Sequence, residues 1–203
     1  MKAGGTMLKL PNNLTNAIML GGSFNPPTIA HLAMVEYLLK NTDKEIWIVP
    51  NGDLYHRKSL APFPQRVTML KLMFGNSERV KILEIENQGI FQGTYQTLRK
   101  LKHPLFVLGA DSLKDLPTWI NFPNLLQENR FIVFTRGNLT KKEDLLKIID
   151  SHPELEKNRE HFYLVDQTIP DVSSTAFRKT FNPCIVTPEV FQYIIKQNLY
   201  LKE

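Results

Sequence analysis

The chain is organised around Gly21-Gly22-Ser23-Phe24-Asn25-Pro26-Pro27-Thr28-Ile29-Ala30-His31-Leu32. The apolar run Ala17-Ile18-Met19-Leu20 before it reads as a buried strand, and Leu32, Val35 and Leu39 after it fall at helical spacing. The order is therefore strand, glycine turn, helix start. Unpaired N–H groups and the positive end of the helix dipole make such a start receptive to an anion. Gly21 and Gly22 let a phosphate approach the backbone, Pro26-Pro27 hold the path extended, and Thr28 is placed to cap the helix. Thr28 and His31, three apart, share one face of its first turn. The stretch lacks the Gly-Lys-Ser/Thr ending of a Walker A loop and the glycine spacing of a dinucleotide fingerprint. By itself it also reads as a tight turn with a buried histidine.

Working outward, five more apolar runs read as strands: Ile46–Val49, Val80–Ile85, Leu105–Leu108, Phe131–Phe134 and Phe162–Val165. Between them lie helical segments from Pro64 (Val67, Leu70 and Phe74 on one face), Thr94 to Lys102, Trp119 to Gln127 and Lys141 to Asp150. Ser173-Ser174-Thr175 caps a short helix through Phe181, and Thr187-Pro188 opens a last one with Val190, Ile194 and Ile195 apolar. Ser151 to Glu160 reads as charged and exposed. Strands that are apolar throughout and alternate with helices predict a Rossmann-like three-layer α/β/α fold with a mostly parallel sheet of five or six strands. Ligands of such folds bind at the carboxyl ends of the strands. Gly21-Gly22, Asn51-Gly52, Gly109-Ala110-Asp111 and Arg136-Gly137 all follow strands.

The 203 residues suit one domain over 17–203, with 1–16 as a loose N-terminal extension. Hydrophobic and charged contents of 42% and 22% suit a soluble globular protein. No apolar run reaches membrane-span length, and the N-terminus lacks the apolar core of a secretory signal. The lone Cys184, read as a semi-buried thiol, fits a reducing cytoplasm. A net charge of +5 suits phosphorylated ligands. The lysines are scattered, with no basic arm or aromatic ladder, which argues against nucleic acid.

Phe24, Asn25, Pro26, Thr28 and His31 fit in order the first signature of the nucleotidylyltransferase superfamily, which the chain resembles. Val172-Ser173-Ser174-Thr175-Ala176-Phe177-Arg178 resembles its second signature, which holds ATP phosphates. Gly109-Ala110-Asp111 with Trp119, Thr94 with Thr97-Leu98, and Pro50-Asn51 with His56-Arg57 resemble segments of the bacterial nicotinate-nucleotide adenylyltransferases. Singly, Asp111 also reads as a turn cap, Trp119 as core and His56-Arg57-Lys58 as a solvated basic loop. The chain departs from that family at Gly93, where the family has Tyr, at Ala30, and at Gly52–Tyr55, which replace a proline-rich stretch.

The resemblance implies transfer of the adenylyl group of ATP to nicotinate mononucleotide, by in-line attack without a covalent enzyme intermediate. Catalysis would fall to Thr28, His31 (a cation or donor to the phosphates) and Arg178. ATP would be held by Gly21, Gly22, Ser23, Phe24, His31, Arg57, Lys58, Ser173, Ser174, Thr175 and Arg178. The acceptor would meet Asn51, His56, Thr94, Gly109, Asp111, Trp119 and Arg136. Mg²⁺ would arrive on the ATP phosphates, with no protein metal ligand. ATP and nicotinate mononucleotide are the expected partners, with no nucleic acid and no membrane, and a homo-oligomer is left open. The alternatives are the same chemistry on nicotinamide mononucleotide or phosphopantetheine, a non-catalytic nucleotide-binding module, and a basic RNA-binding domain.

Overall fold

The computed structural model describes residues 8, 10, 15–54, 60–89, 92–136, 141–167 and 169–201. Six strands form one sheet: β1 (Ala17–Gly22), β2 (Glu45–Pro50), β3 (Val80–Ile82), β4 (Leu105–Gly109), β5 (Phe131–Phe134) and β6 (Phe162–Val165). All neighbours pair in parallel, in the order β3-β2-β1-β4-β5-β6. The chain thus moves one way from β1 to β3 and the other way from β4 to β6. β1 and β4 lie side by side at the reversal, where a parallel sheet opens its ligand crevice.

Among the described residues the helices are α1 (Ile29–Asn41), α2 (Phe63–Phe74), α3 (Thr94–Lys100), α4 (Ala110–Asp115), α5 (Phe122–Glu128), α6 (Lys142–Asp150), α7 (Pro153–Lys157), α8 (Ser174–Thr180) and α9 (Pro188–Lys196). Strand periodicity decides which side each covers. Ile18, Leu20, Leu105, Val107, Ile132 and Phe134 face α1 and α2, whereas Met19, Phe106, Leu108, Phe131 and Val133 face α3 to α7. Both faces of each central strand are buried, which is why these runs carry no polar alternation. A third cluster joins Met69 of α2 to Phe177 of α8 and Ile185, Val190 and Ile194 around α9. It seats the last two helices on α2. The sheet is therefore the expected three-layer α/β/α, with all strands parallel.

Several local expectations change. β3 stops at Ile82, and Ile85–Asn87 form a 3₁₀ turn. α1 buries Ala30, Met34, Val35 and Leu38, and Leu32 and Leu39 lie at the margin of that face. α3 ends at Lys100 because Lys102 and His103 both turn to positive φ. Trp119 precedes α5 rather than opening it. The 151–160 stretch is not all exposed, because α7 inserts Leu155 into the core. Ile195 is exposed, one position off the inward stripe of α9, and Cys184 is exposed rather than semi-buried. Of the N-terminal sixteen, Leu8 and Leu10 pack against the α1 side of the core. The rest of that stretch up to residue 14 lies outside the described residues.

Gly52 marks the tightest backbone approach near the crevice. A Cβ there would lie 2.1 Å from the Glu86 carbonyl oxygen. Gly52→Ala is expected to cost about 3 kcal/mol or more, since backbone and not a flexible side chain must yield. Gly109→Ala, whose Cβ would meet nothing within 4 Å, should cost far less. Urea unfolding of both variants checks the contrast.

Candidate functional site

The loop from β1 to α1 is fixed by donors that reach it from distant parts of the chain. The Ser23 carbonyl accepts from Arg66 Nη1 at 2.9 Å. The Asn25 carbonyl accepts from Arg178 Nη1 at 2.6 Å, and the Pro26 carbonyl from Ser174 Oγ at 2.7 Å. The Asn25 side-chain carbonyl takes the Ala61 N–H at 2.9 Å and the Tyr200 hydroxyl at 2.8 Å. The two stretches singled out in the sequence are thus in direct contact across separations of 148 and 153 residues. Ser173 caps α8 by accepting the Ala176 N–H at 3.0 Å, and Thr175 is exposed on the first turn of α8, 3.4 Å from Arg178 Nη2.

Thr28 caps α1 in an extended conformation and is wholly buried. Its N–H donates to His31 Nδ1 at 2.9 Å, and its Oγ1 lies 2.9 Å from the same nitrogen. His31 thus reaches back to the cap as the acid of a capping box does. Phe24, buried at φ 46°, sets its ring 5.0 Å from the imidazole. Burial first, then the Arg136 charge, pull the His31 pKa down to about 4. At neutral pH the ring is therefore neutral. Because Nδ1 accepts the Thr28 N–H, the ring proton sits on Nε2. Of the two expected characters, cation or donor, the ring in the free protein has that of a neutral donor, and Thr28 stands behind it as its support.

Arg136 closes the other side of the crevice. Its Nη2 donates to the Val172 carbonyl at 2.6 Å, and its Nη1 lies 3.6 Å from Asp111 Oδ2. It joins the end of β5, the first turn of α4 and the residue before Ser173. Gly109 caps α4 with open space where a side chain would project. Trp119 is half-buried, with its ring edge-on to Phe106 at 6.1 Å. Gly93 precedes α3 at φ 94°, and its missing side chain leaves the space taken by Ile120, whose Cβ would lie 3.1 Å from an added one. At this position glycine meets both a backbone and a steric demand.

Sequence reading missed two polar groups that hold the second loop. Arg66 is fully buried on the inward stripe of α2 and donates to Ala61 O, Ser23 O and Asp53 Oδ1. Asp53 Oδ2 in turn accepts the Phe63 N–H at the start of α2. Arg66 lies three residues after Phe63 and four before Leu70, so a charge on the buried stripe was the available signal. Glu86 accepts from Asn51 Nδ2 at 2.9 Å and Thr97 Oγ1 at 2.7 Å, and burial pushes its carboxyl pKa up. Ser23 Oγ lies 3.4 Å from Asn51 Oδ1, so this chain of contacts runs from the first loop to α3. Nothing in the local pattern marks Glu86. His56, Arg57 and Lys58 lie outside the described residues. Among the described residues no three His, Cys, Asp or Glu side chains gather as a metal site.

Residues 19–180 match the cytidylyltransferase-like family. The chain is 35% identical over 191 residues to the probable nicotinate-nucleotide adenylyltransferase of Acholeplasma laidlawii, covering 90% of this chain and 96% of the relative. It is 36% identical over 168 residues to the protein of the same name from Fusobacterium nucleatum, covering 78% and 83%. The solved Plasmodium falciparum nicotinic acid mononucleotide adenylyltransferase in complex with NaAD superposes with a TM-score of 0.71 at 29% identity, covering 91% and 96%. Its complex with APC gives 0.69 at 28%, with the same coverage.

The depressed His31 pKa has a consequence for stability. The unfolded imidazole, near 6.5, takes up a proton more readily than the folded one, near 4. The stability that neutral His31 retains above pH 6.5 should therefore be lost as pH falls from about 6.5 towards 4, by up to about 3 kcal/mol. His31→Gln should flatten that part of the profile. Denaturant midpoints for both proteins at half-unit pH steps read the difference. Parallel curves would remove the titration from His31.

Proposed function

Since the chain belongs to the cytidylyltransferase-like family, and within it to the nicotinate-nucleotide adenylyltransferases, we propose the following reading of its site. The protein transfers the adenylyl group of ATP to nicotinate mononucleotide, giving nicotinate adenine dinucleotide and pyrophosphate. The observation that carries the site assignment is the clasp of Arg178 and Ser174 on the carbonyls of Asn25 and Pro26. It brings the beginnings of α1 and α8 together at the reversal point of the sheet.

The acceptor is already an anion, so the reaction needs no general base. Its phosphate oxygen attacks the α-phosphorus of ATP, the new P–O bond forms in line, and the α–β bridging bond breaks with its electrons leaving on pyrophosphate. The protein's part is alignment and charge stabilisation. Gly21, Gly22, Ser23 and Phe24 border the polyphosphate. His31 donates through Nε2–H, held in that tautomer by Thr28. Polyphosphate charge beside the ring favours its protonation, so bound ATP would raise the His31 pKa. Arg178, with Ser173, Ser174 and Thr175 beside it, meets the departing pyrophosphate, and Arg57 and Lys58 belong to the same role. Asn51, His56, Thr94, Gly109, Asp111, Trp119 and Arg136 are assigned to the acceptor, with Trp119 against the pyridine ring. Mg²⁺ would be carried by the phosphates and its own waters, which hard-cation chemistry favours. It would neutralise charge there.

We place the enzyme in the cytoplasm, with ATP and nicotinate mononucleotide as partners and neither nucleic acid nor membrane. No helix among the described residues is long and apolar enough to cross a membrane. We take 17–203 as one nucleotidylyltransferase domain and 1–16 as its extension, and leave a homo-oligomer open.

The direct test is pyrophosphate release with ATP and Mg²⁺, offering nicotinate and nicotinamide mononucleotides in parallel. The nicotinate acid should be strongly preferred. Equal or reversed preference would move the acceptor. His31→Ala should lower turnover by about 10²-fold or more, the scale of a lost transition-state donor. Its circular dichroism should be unchanged. A variant of near-native turnover would remove His31 from the chemistry.

A further inference from the structure

The last helix ends at Lys196, yet the chain continues in a turn that returns Tyr200 to the first loop. Its hydroxyl donates to Asn25 Oδ1 at 2.8 Å, across 175 residues. Its ring packs edge-on to Phe177 of α8, with centroids 6.0 Å apart. Tyr200 thus touches both signature stretches, one through its polar tip and one through its apolar body. The partner is not incidental. Asn25 is 3% exposed, and its backbone carbonyl is the acceptor for Arg178. Burial raises the Tyr200 pKa, opposed by the charges of Arg66 and Arg178, so the phenol stays protonated and able to donate.

We propose that Tyr200 is a positioning residue for nucleotide binding: it orients the Asn25 side chain and so registers the β1–α1 loop with the Arg178 that grips the same residue. Resting on the reading of these two stretches as the ATP site, this extends the site to the C-terminal end of the described chain. Tyr200 touches no reacting atom. It acts through Asn25, Phe177 and the loop geometry. The Ala61 N–H shares the same oxygen, so loss of the hydroxyl loosens the loop without opening a cavity.

Tyr200→Phe removes the hydroxyl and keeps the ring on Phe177. The measurement is calorimetric titration of the full chain with a non-hydrolysable ATP analogue, beside steady-state KM values for ATP and nicotinate mononucleotide. Tyr193→Phe, on α9, is the matched control. We expect Tyr200→Phe to bind the analogue about 3- to 10-fold more weakly, the range of one neutral hydrogen bond. KM for ATP should rise in step, KM for the acceptor should hold, and Tyr193→Phe should match the parent. Unchanged analogue affinity in Tyr200→Phe overturns the proposal whatever happens to its melting temperature, as does an equal loss in the control. Should the parent bind the analogue but not use nicotinate mononucleotide, weaker binding by Tyr200→Phe still upholds Tyr200, and only the acceptor reading falls. Should the parent not bind the analogue at all, both fall.

Discussion

Three carbonyls of one loop, those of Ser23, Asn25 and Pro26, take donors from outside it. A backbone carbonyl is a strong acceptor, and leaving one unpaired inside a protein costs about 1–3 kcal/mol. The chain supplies Arg66, Arg178 and Ser174. Once these oxygens are engaged by protein donors, the loop does not turn them towards an anion. The same bonds bring α2 and α8 to the loop, so satisfaction of the backbone and assembly of the site are one event.

This arrangement explains how charge is distributed. Arg66, with no exposed surface, is acceptable only because it donates to two carbonyls and to Asp53. A buried cation without such partners would be strongly destabilising. Arg136 is likewise committed to Val172 and Asp111. These two cations are therefore held in place by protein partners before any ligand arrives. Preorganisation of this kind matters more for charge stabilisation than the number of positive residues. A groove of about 970 Å³ along β6 is lined by Tyr37, Lys142 and Tyr163 but by none of these cations, and so is separate from the site.

The sequence makes much of this legible, for identifiable reasons. Strands buried on both faces announce themselves as unbroken apolar runs, as Leu105–Leu108 and Phe131–Phe134 do, whereas the edge strand β3, with Lys81 in it, is shorter than its apolar run suggests. The glycine turn and the Ser173–Arg178 stretch carry local spacing that survives without coordinates. What stayed hidden depends on partners far away in the chain. Glu86 gains meaning from Asn51 and Thr97, and Tyr200 from Asn25 and Phe177. Leu155 sits in a charged stretch, and its burial reflects where α7 lands rather than any period of its own. The helical reading of Trp119 to Gln127 begins too early, because a 3₁₀ turn at Leu116–Thr118 and left-handed Asn121 break the chain on either side of Trp119. The neutral state of His31 comes first from burial and then from the nearby Arg136, neither of which spacing reveals.

The parallel order β3-β2-β1-β4-β5-β6 also has a temporal meaning. β1 is central but cannot receive its second neighbour until β4 has left the ribosome, and the clasp on Asn25 waits for Arg178. At a synthesis rate of roughly 5–20 residues per second, the intervening 153 residues take about 8–30 s. During that interval the β1–β2–β3 half, with α1 and α2, stands with an open β1 edge and the Asn25 and Pro26 carbonyls without their eventual donors. The nascent protein would thus carry an unfinished β1–α1 loop through most of its birth, until Ser174 and Arg178 arrive and Tyr200 completes it.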